Sequence, residues 1–169
     1  MKKKPSAVDC LWAPWRVPYL RKASKTEAPG DCFFCDYVRA PRHDRKNLVL
    51  HRGKTAFSVL NLYPYTGGHL LVAPYAHKGE MEKLDAAERA ELMDLAIRMK
   101  GVLQKVLKPH GFNLGINLGR PAGAGVPGHV HLHVVPRWSG DVNFMTSVAD
   151  VRVIPQALLE IYDELRSAL

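Results

Sequence analysis

An α+β fold with a largely antiparallel sheet is what this sequence of 169 residues predicts. Two observations carry the expectation. Short β-branched or aliphatic runs and two helical periodicities follow one another as strands, helix, strands, helix, and the links between them are short. The composition, 47% hydrophobic and 24% charged, suits one soluble domain with a real core.

Residues 1–30 read as an irregular arm. A lysine tail precedes LWAPWRVPYL, where two tryptophans and two prolines within ten residues suggest an extended segment lying across a surface. Residues 31–169 read as a single domain. Residues 55–60 (TAFSVL) and 69–75 (HLLVAPY) form strands, separated by NLYPYTGG, whose Pro and Gly-Gly mark a turn. Residues 85–108 form the best helix. Asp85 caps it with Glu88 three positions on, and Leu92, Leu95, Ala96, Met99, Val102, Leu103, Val106 and Leu107 make one apolar stripe. Pro109 and Gly111 end it. A further strand is expected at 112–118 (FNLGINL), and Pro155 is expected to open a second helix, QALLEIYDELRSAL.

The formal charge of +8 raises the question of nucleic acid, but its distribution argues against one. Residues 1–25 carry a net +6, while residues 26–169 carry only +2, so the surplus belongs to a solvated or partner-docking arm. No stretch has the ~18–20 apolar residues of a membrane span, and no apolar signal segment follows the basic N-terminus. Three cysteines do not make a disulfide framework. A cytoplasmic protein is expected.

The chemistry concentrates in residues 128–138, GHVHLHVVPRW. Read as a strand, the segment puts His129, His131 and His133 on one face and Val130, Leu132 and Val134 on the other. One metal ion does not easily take all three rings. Alternate residues are ~6.5–7 Å apart, so His129 and His133 are separated by roughly 13 Å, while zinc needs ligand nitrogens ~2.0–2.1 Å away. At least one ring is therefore left for nucleophilic or acid–base work. Phosphorus chemistry fits best, because neutral imidazole attacks a phosphoryl centre well and leaves well from the phosphoramidate it forms. His131, with polar neighbours on both sides, is the natural nucleophile, oriented and assisted by the flanking rings. Gly119, Gly123, Gly125 and Gly128 lie in the loop ahead of it, which suits close approach of backbone N–H groups to a phosphate. Arg120 and Arg137 flank the segment.

HVHLHVV is an uninterrupted His-φ-His-φ-His-φ-φ (φ apolar), and it resembles the signature of the histidine triad (HIT) family of nucleotide hydrolases and transferases. GHLLVAPYAH (68–77) is similar to that family's Gly-His strand with its following Pro-x-x-His, LNLYPYTGG to the turn before it, and INLGRPAGAGVPG to the glycine-rich approach. The resemblance covers residues 31–145. It implies a mostly antiparallel five-stranded sheet with one long and one C-terminal helix, paired into a homodimer. It also implies attack by His131 on the α-phosphorus of a nucleotide, with His133 serving phosphate and leaving group. Asn61 is implied at the ribose, Asn117, Gly123 and Gly125 at the phosphate, and His69 either lining the site or packed behind it.

LWAPWR, LNLYPY and HVVPRWSGDVNFM most resemble bacterial diadenosine tetraphosphate phosphorylases and related hydrolases. A dinucleoside-polyphosphate substrate is thus expected, with phosphate or water as final acceptor and no organic cofactor. Galactose-1-phosphate uridylyltransferases are not expected, because they have Gln at the third triad position. An adenosine phosphoramidate hydrolase is the alternative enzyme, and a zinc-stabilised nucleotide-binding module the alternative of another class. Cys32-Phe33-Phe34-Cys35 has metal-ligand spacing but supplies only two of four ligands. By itself the pair is equally a redox-active dithiol or two incidental thiols. The resemblance supplies His77 and His129 as partners for a structural zinc. Cys10 has no evident partner, and His43, His51 and His110 are assigned no role.

Overall fold

A computed structural model describes residues 32–141 and 154–169. The expected arm (1–30) and Cys10 lie outside them. A short helix α1 (Phe33–Arg39) leads into strands β1 (Val49–Arg52), β2 (Ala56–Leu60) and β3 (Leu70–Pro74). The long helix α2 (Ala86–Leu107), strands β4 (Gly111–Ile116) and β5 (Leu132–Arg137), and helix α3 (Leu158–Ser167) follow. The five strands form one sheet in the order β1-β2-β3-β5-β4, and every neighbouring pair is antiparallel. This is the expected α+β architecture.

Helix α2 forms where its periodicity predicts. Asp85 accepts from the Glu88 N–H and Glu88 reaches back to the Asp85 N–H, a complete capping box. Leu92, Leu95, Ala96, Met99 and Leu103 are buried in one core with Leu70, Val72, Leu132 and Val134 of the sheet. Gly68, just before β3, has φ +76°, and a Cβ there would meet Leu107 Cδ1 at 2.4 Å. The Gly-Gly turn is thus fixed by its approach to α2.

Three boundaries differ from expectation. Pro155 does not open the last helix; α3 starts at Leu158 with Ala157 as its cap residue. Its position is set by docking on β1, where Tyr162 donates to the Val49 carbonyl (3.2 Å) and Arg166 to the Leu50 carbonyl (2.6 Å). The histidine segment is regular strand only from Leu132. Pairing of β3 with β5 ends at Val72↔Leu132, because Pro74 has no N–H with which to continue the ladder. The His129 ring donates to the Pro74 carbonyl instead, Nε2 to O 2.8 Å. Strand β4 is shorter than expected and leaves Asn117 and Leu118 beyond its end. No helix among the described residues is long and apolar enough to cross a membrane.

Candidate functional site

His133 sits in β5 opposite Leu71 of β3 and Gly115 of β4, on the sheet face opposite the buried Leu132 and Val134. His131 lies just ahead of the strand, its ring 5.0 Å from that of His133. Phe34 of α1 is fully buried and packs on both His129 (5.0 Å) and His131 (5.1 Å). The three histidines are therefore together, with His129 turned away from the other two toward α1.

The hydrogen bonds assign a tautomer to each ring. His131 Nδ1 lies 2.9 Å from the His129 carbonyl, an acceptor only, so Nδ1 carries the proton and Nε2 is bare. His69, fully buried, accepts at Nδ1 from the Tyr65 backbone N–H (3.1 Å) and the Asn61 amide (3.2 Å). Its proton is thus on Nε2, which donates to His133 Nδ1 at 2.9 Å. His133 must then hold its own proton on Nε2, a buried nitrogen with no partner. Burial keeps all three triad rings neutral. It pushes His129 and His133 down to about 4, the latter helped by the neighbouring His131, and lowers His131 as well. A bare nitrogen and a protonated one thus sit on adjacent neutral rings.

The second cluster comprises Cys32, Cys35, His77 and His129, whose donor atoms all lie within 4.8 Å of one another. Cys32 Sγ and Cys35 Sγ are 3.3 and 3.7 Å from His129 Nδ1, and Cys35 Sγ is 3.3 Å from His77 Nδ1. Sulfur and nitrogen ligands on one tetrahedral zinc would be about 3.6 Å apart, from the usual bond lengths. The donor chemistry agrees: with Nε2 committed to Pro74, the His129 Nδ1 lone pair faces both thiols, the outer-shell arrangement that orients a metal-bound imidazole. Burial pushes the Cys32 thiol up to about 11, so without a cation the sulfur keeps its proton. The residues fit a metal ion.

The other expected site residues fall as follows. Asn61 caps the turn, its Oδ1 accepting from the Tyr63 N–H (3.0 Å), while its amide touches His69. His69 lies behind His133 rather than on an open surface. Gly123 and Gly125 are exposed, with Ala124 and Val126 buried between and beyond them. Asn117 is beside Gly123, where a Cβ would meet its Nδ2 at 3.5 Å. The Gly123 and Ala124 amides bond to the Arg120 and Gly119 carbonyls within the loop, so Gly123 supplies shape rather than a donor. Arg137 is held by Asp141 and by Asn113 Oδ1 (2.8 Å), which ties down its charge. On the metal-cluster side, a cleft of about 710 Å³ is lined by His77, Lys78, Lys83, Glu80, Glu82 and the loop glycines 119 and 128. Its two lysines are offset by two glutamates, and it does not reach His131.

Sequence reasoning gave no role to Phe34 or Tyr65. Tyr65 lies nearly parallel to His133, with centroids 5.9 Å apart and 13° between planes. The signal for Phe34 was its place between the two cysteines, which ties it to both clusters.

Comparison with known proteins agrees with this arrangement. The HIT domain profile matches residues 42–140. The chain belongs to the HIT domain family. An AP-4-A phosphorylase of Mycobacterium tuberculosis is 44% identical over 151 residues, covering 88% of this chain and 77% of that protein. An asymmetrical bis(5'-nucleosyl)-tetraphosphatase of Schizosaccharomyces pombe is 34% identical over 93 residues, 55% of this chain and 50% of that one. Among solved structures, a Zn-bound histidine triad family protein from Mycobacterium smegmatis superposes with a TM-score of 0.66 at 29% identity, covering 82% of this HIT chain and 92% of that one.

Proposed function

We propose that this protein cleaves dinucleoside polyphosphates of the diadenosine tetraphosphate type at the α-phosphate, through a nucleotidyl-histidine intermediate on His131. The observation that carries the reading is the pair of opposite tautomers: a bare Nε2 on His131 beside a protonated Nε2 on His133. The first step needs both. The His131 Nε2 lone pair forms a bond to the α-phosphorus as the bond to the bridging oxygen breaks, and the His133 Nε2–H donates a hydrogen bond to that oxygen as its charge develops, the polyphosphate leaving as an anion. The imidazolium created on His131 keeps its Nδ1–H on the His129 carbonyl. Water or phosphate then attacks the phosphorus from the vacated side, the surplus proton of water passing to a phosphate oxygen and on to solvent, and the bond to Nε2 breaks to release His131 as neutral imidazole. The identity to a protein described as an AP-4-A phosphorylase supports the substrate class.

Asn61 and Asn117 are proposed to hold ribose and phosphate, Gly123 and Gly125 to shape the loop for the phosphate's approach, and His69 to orient His133. Cys32, Cys35, His77 and His129 are proposed to hold a structural zinc, whose chemistry is to stabilise two thiolates and fix α1 beside the triad. A homodimer joined through edge strand β4, where Leu114 is exposed, follows from the same reading.

Incubation with diadenosine tetraphosphate, with and without phosphate, tests the proposal. Phosphate-dependent ADP plus ATP is the outcome for a phosphorylase, and AMP plus ATP without phosphate for a hydrolase. Unchanged turnover by His131→Ala would overturn the covalent mechanism.

A further inference from the structure

We propose that the loop Leu62–Tyr65 is the seat of the second nucleobase, the one carried away by the leaving half of a dinucleoside polyphosphate. The inference rests on the function proposed above and adds a specificity site to it. Leu62, Tyr63 and Tyr65 are 56, 82 and 43% exposed on one short loop that Tyr65 joins to His133, and exposure of that kind marks a binding surface.

The loop is not slack. Asn61 Oδ1 takes the Tyr63 N–H, His69 takes the Tyr65 N–H, and Thr66 Oγ bonds to the Pro136 carbonyl at 2.8 Å. Pro64 stiffens the chain between the two tyrosines. Rigid aromatic rings presented on a pinned loop bind a flat partner with little ordering cost. Their place assigns the partner. In-line attack by His131 puts the departing oxygen opposite the nucleophile, and His133, whose Nε2–H hydrogen-bonds that oxygen in the proposed step, lies almost parallel to Tyr65. The polyphosphate therefore leaves past Tyr65, and the ring at its far end is a nucleobase, a class that stacks on tyrosine irrespective of sequence.

The test compares diadenosine tetraphosphate with adenosine 5'-tetraphosphate, which keeps the four phosphates and lacks the second nucleoside. Wild type should have the lower KM for the dinucleotide. Tyr63→Ala and Tyr65→Leu should each reduce that advantage about tenfold, the lower range for one stacked base. Equal changes for both substrates would overturn the proposal, since Tyr65 would then only support His133. An unchanged KM ratio in both variants would overturn it too. Turnover of neither substrate by wild type would instead remove the function on which the inference rests. Titration of His131→Ala with the two nucleotides reads the same preference from binding alone.

Discussion

Replacing His69 separates its chemistry from its packing. In His69→Phe the ring volume stays, but His133 Nδ1 loses its donor and the Tyr65 N–H loses its acceptor. Two buried groups left unsatisfied cost roughly 1–3 kcal/mol each. A change of 1 kcal/mol moves Tm by about 2–4 °C in a domain of this size, so Tm should fall by several degrees. The catalytic consequence is distinct. Without a donor at Nδ1, His133 is free to carry its proton there, and its Nε2 no longer donates to the leaving atom. A donor aimed at developing charge is worth about 10²–10³ in rate, and most where the leaving group is poor.

An adenosine phosphoramidate, which expels an amine, should therefore lose about 100-fold or more in His69→Phe. A p-nitrophenyl ester of AMP, whose phenolate leaves unaided, should lose far less. His69→Gln, with an amide N–H near the position of Nε2, should recover part of the loss for the phosphoramidate. Single-turnover rates for the two substrates, measured under conditions where every variant is folded, supply the assay. A uniform loss across leaving groups would refute the tautomer assignment, since His69 would then matter only for shape.

Three further outcomes are expected. Phe34→Ala removes a fully buried ring and should cost about 3–5 kcal/mol in urea unfolding; it should also lower kcat, since the ring holds both His129 and His131, and an unchanged kcat would contradict that contact's role. Cys32→Ser should lose stoichiometric zinc by elemental analysis, and full retention would refute the four-residue site. Because His133 titrates at about 4 when folded, the unfolded chain takes up a proton below its ordinary value near 6.5 that the folded ring refuses. The contribution of His133 to stability is thus flat above pH 6.5 and declines as the pH falls toward 4. Urea midpoints between pH 7.5 and 5 should fall less steeply in His133→Asn than in wild type, and equal slopes would exclude His133 as a source.

The elements that periodicity determines were legible in the sequence. The stripe from Leu92 to Leu107 and the Asp85–Glu88 box gave α2 nearly to the residue, because cap and stripe are local properties. Strands β2 and β3 were equally plain, being buried along their whole length. Helix α1 and strand β1 were not. Seven residues with no side-chain cap bond cannot form a stable helix by propensity, and α1 depends on Phe34 being buried by partners nearly 100 positions away. The site was legible in residue type but not in orientation. Alternation alone put three imidazoles on one face, and it did not show that pairing on both edges of β5 ends at Leu132, Pro74 lacking the N–H to extend it on the β3 side.

The departure of His129 from that face is what would allow one residue to serve both proposed sites. On a continued strand, the His129 ring would point with those of His131 and His133, and its backbone carbonyl would belong to the ladder. Released from the ladder at a bend, the ring turns toward Cys32 and Cys35 while the carbonyl accepts from His131 Nδ1. The two functions use different atoms of His129 and do not compete. Phe34 closes the loop, since it lies between the cysteines in sequence and against both rings in space. Any displacement of the cysteine pair must therefore move a wall of the nucleophile's pocket, whereas His133, oriented from β3 by His69, has a separate support. The proposed leaving-group donor, His133, and the proposed nucleophile, His131, are thus held by independent frameworks. Damage at the metal cluster should accordingly slow nucleotidyl transfer to His131 while leaving the leaving-group dependence of the reaction intact.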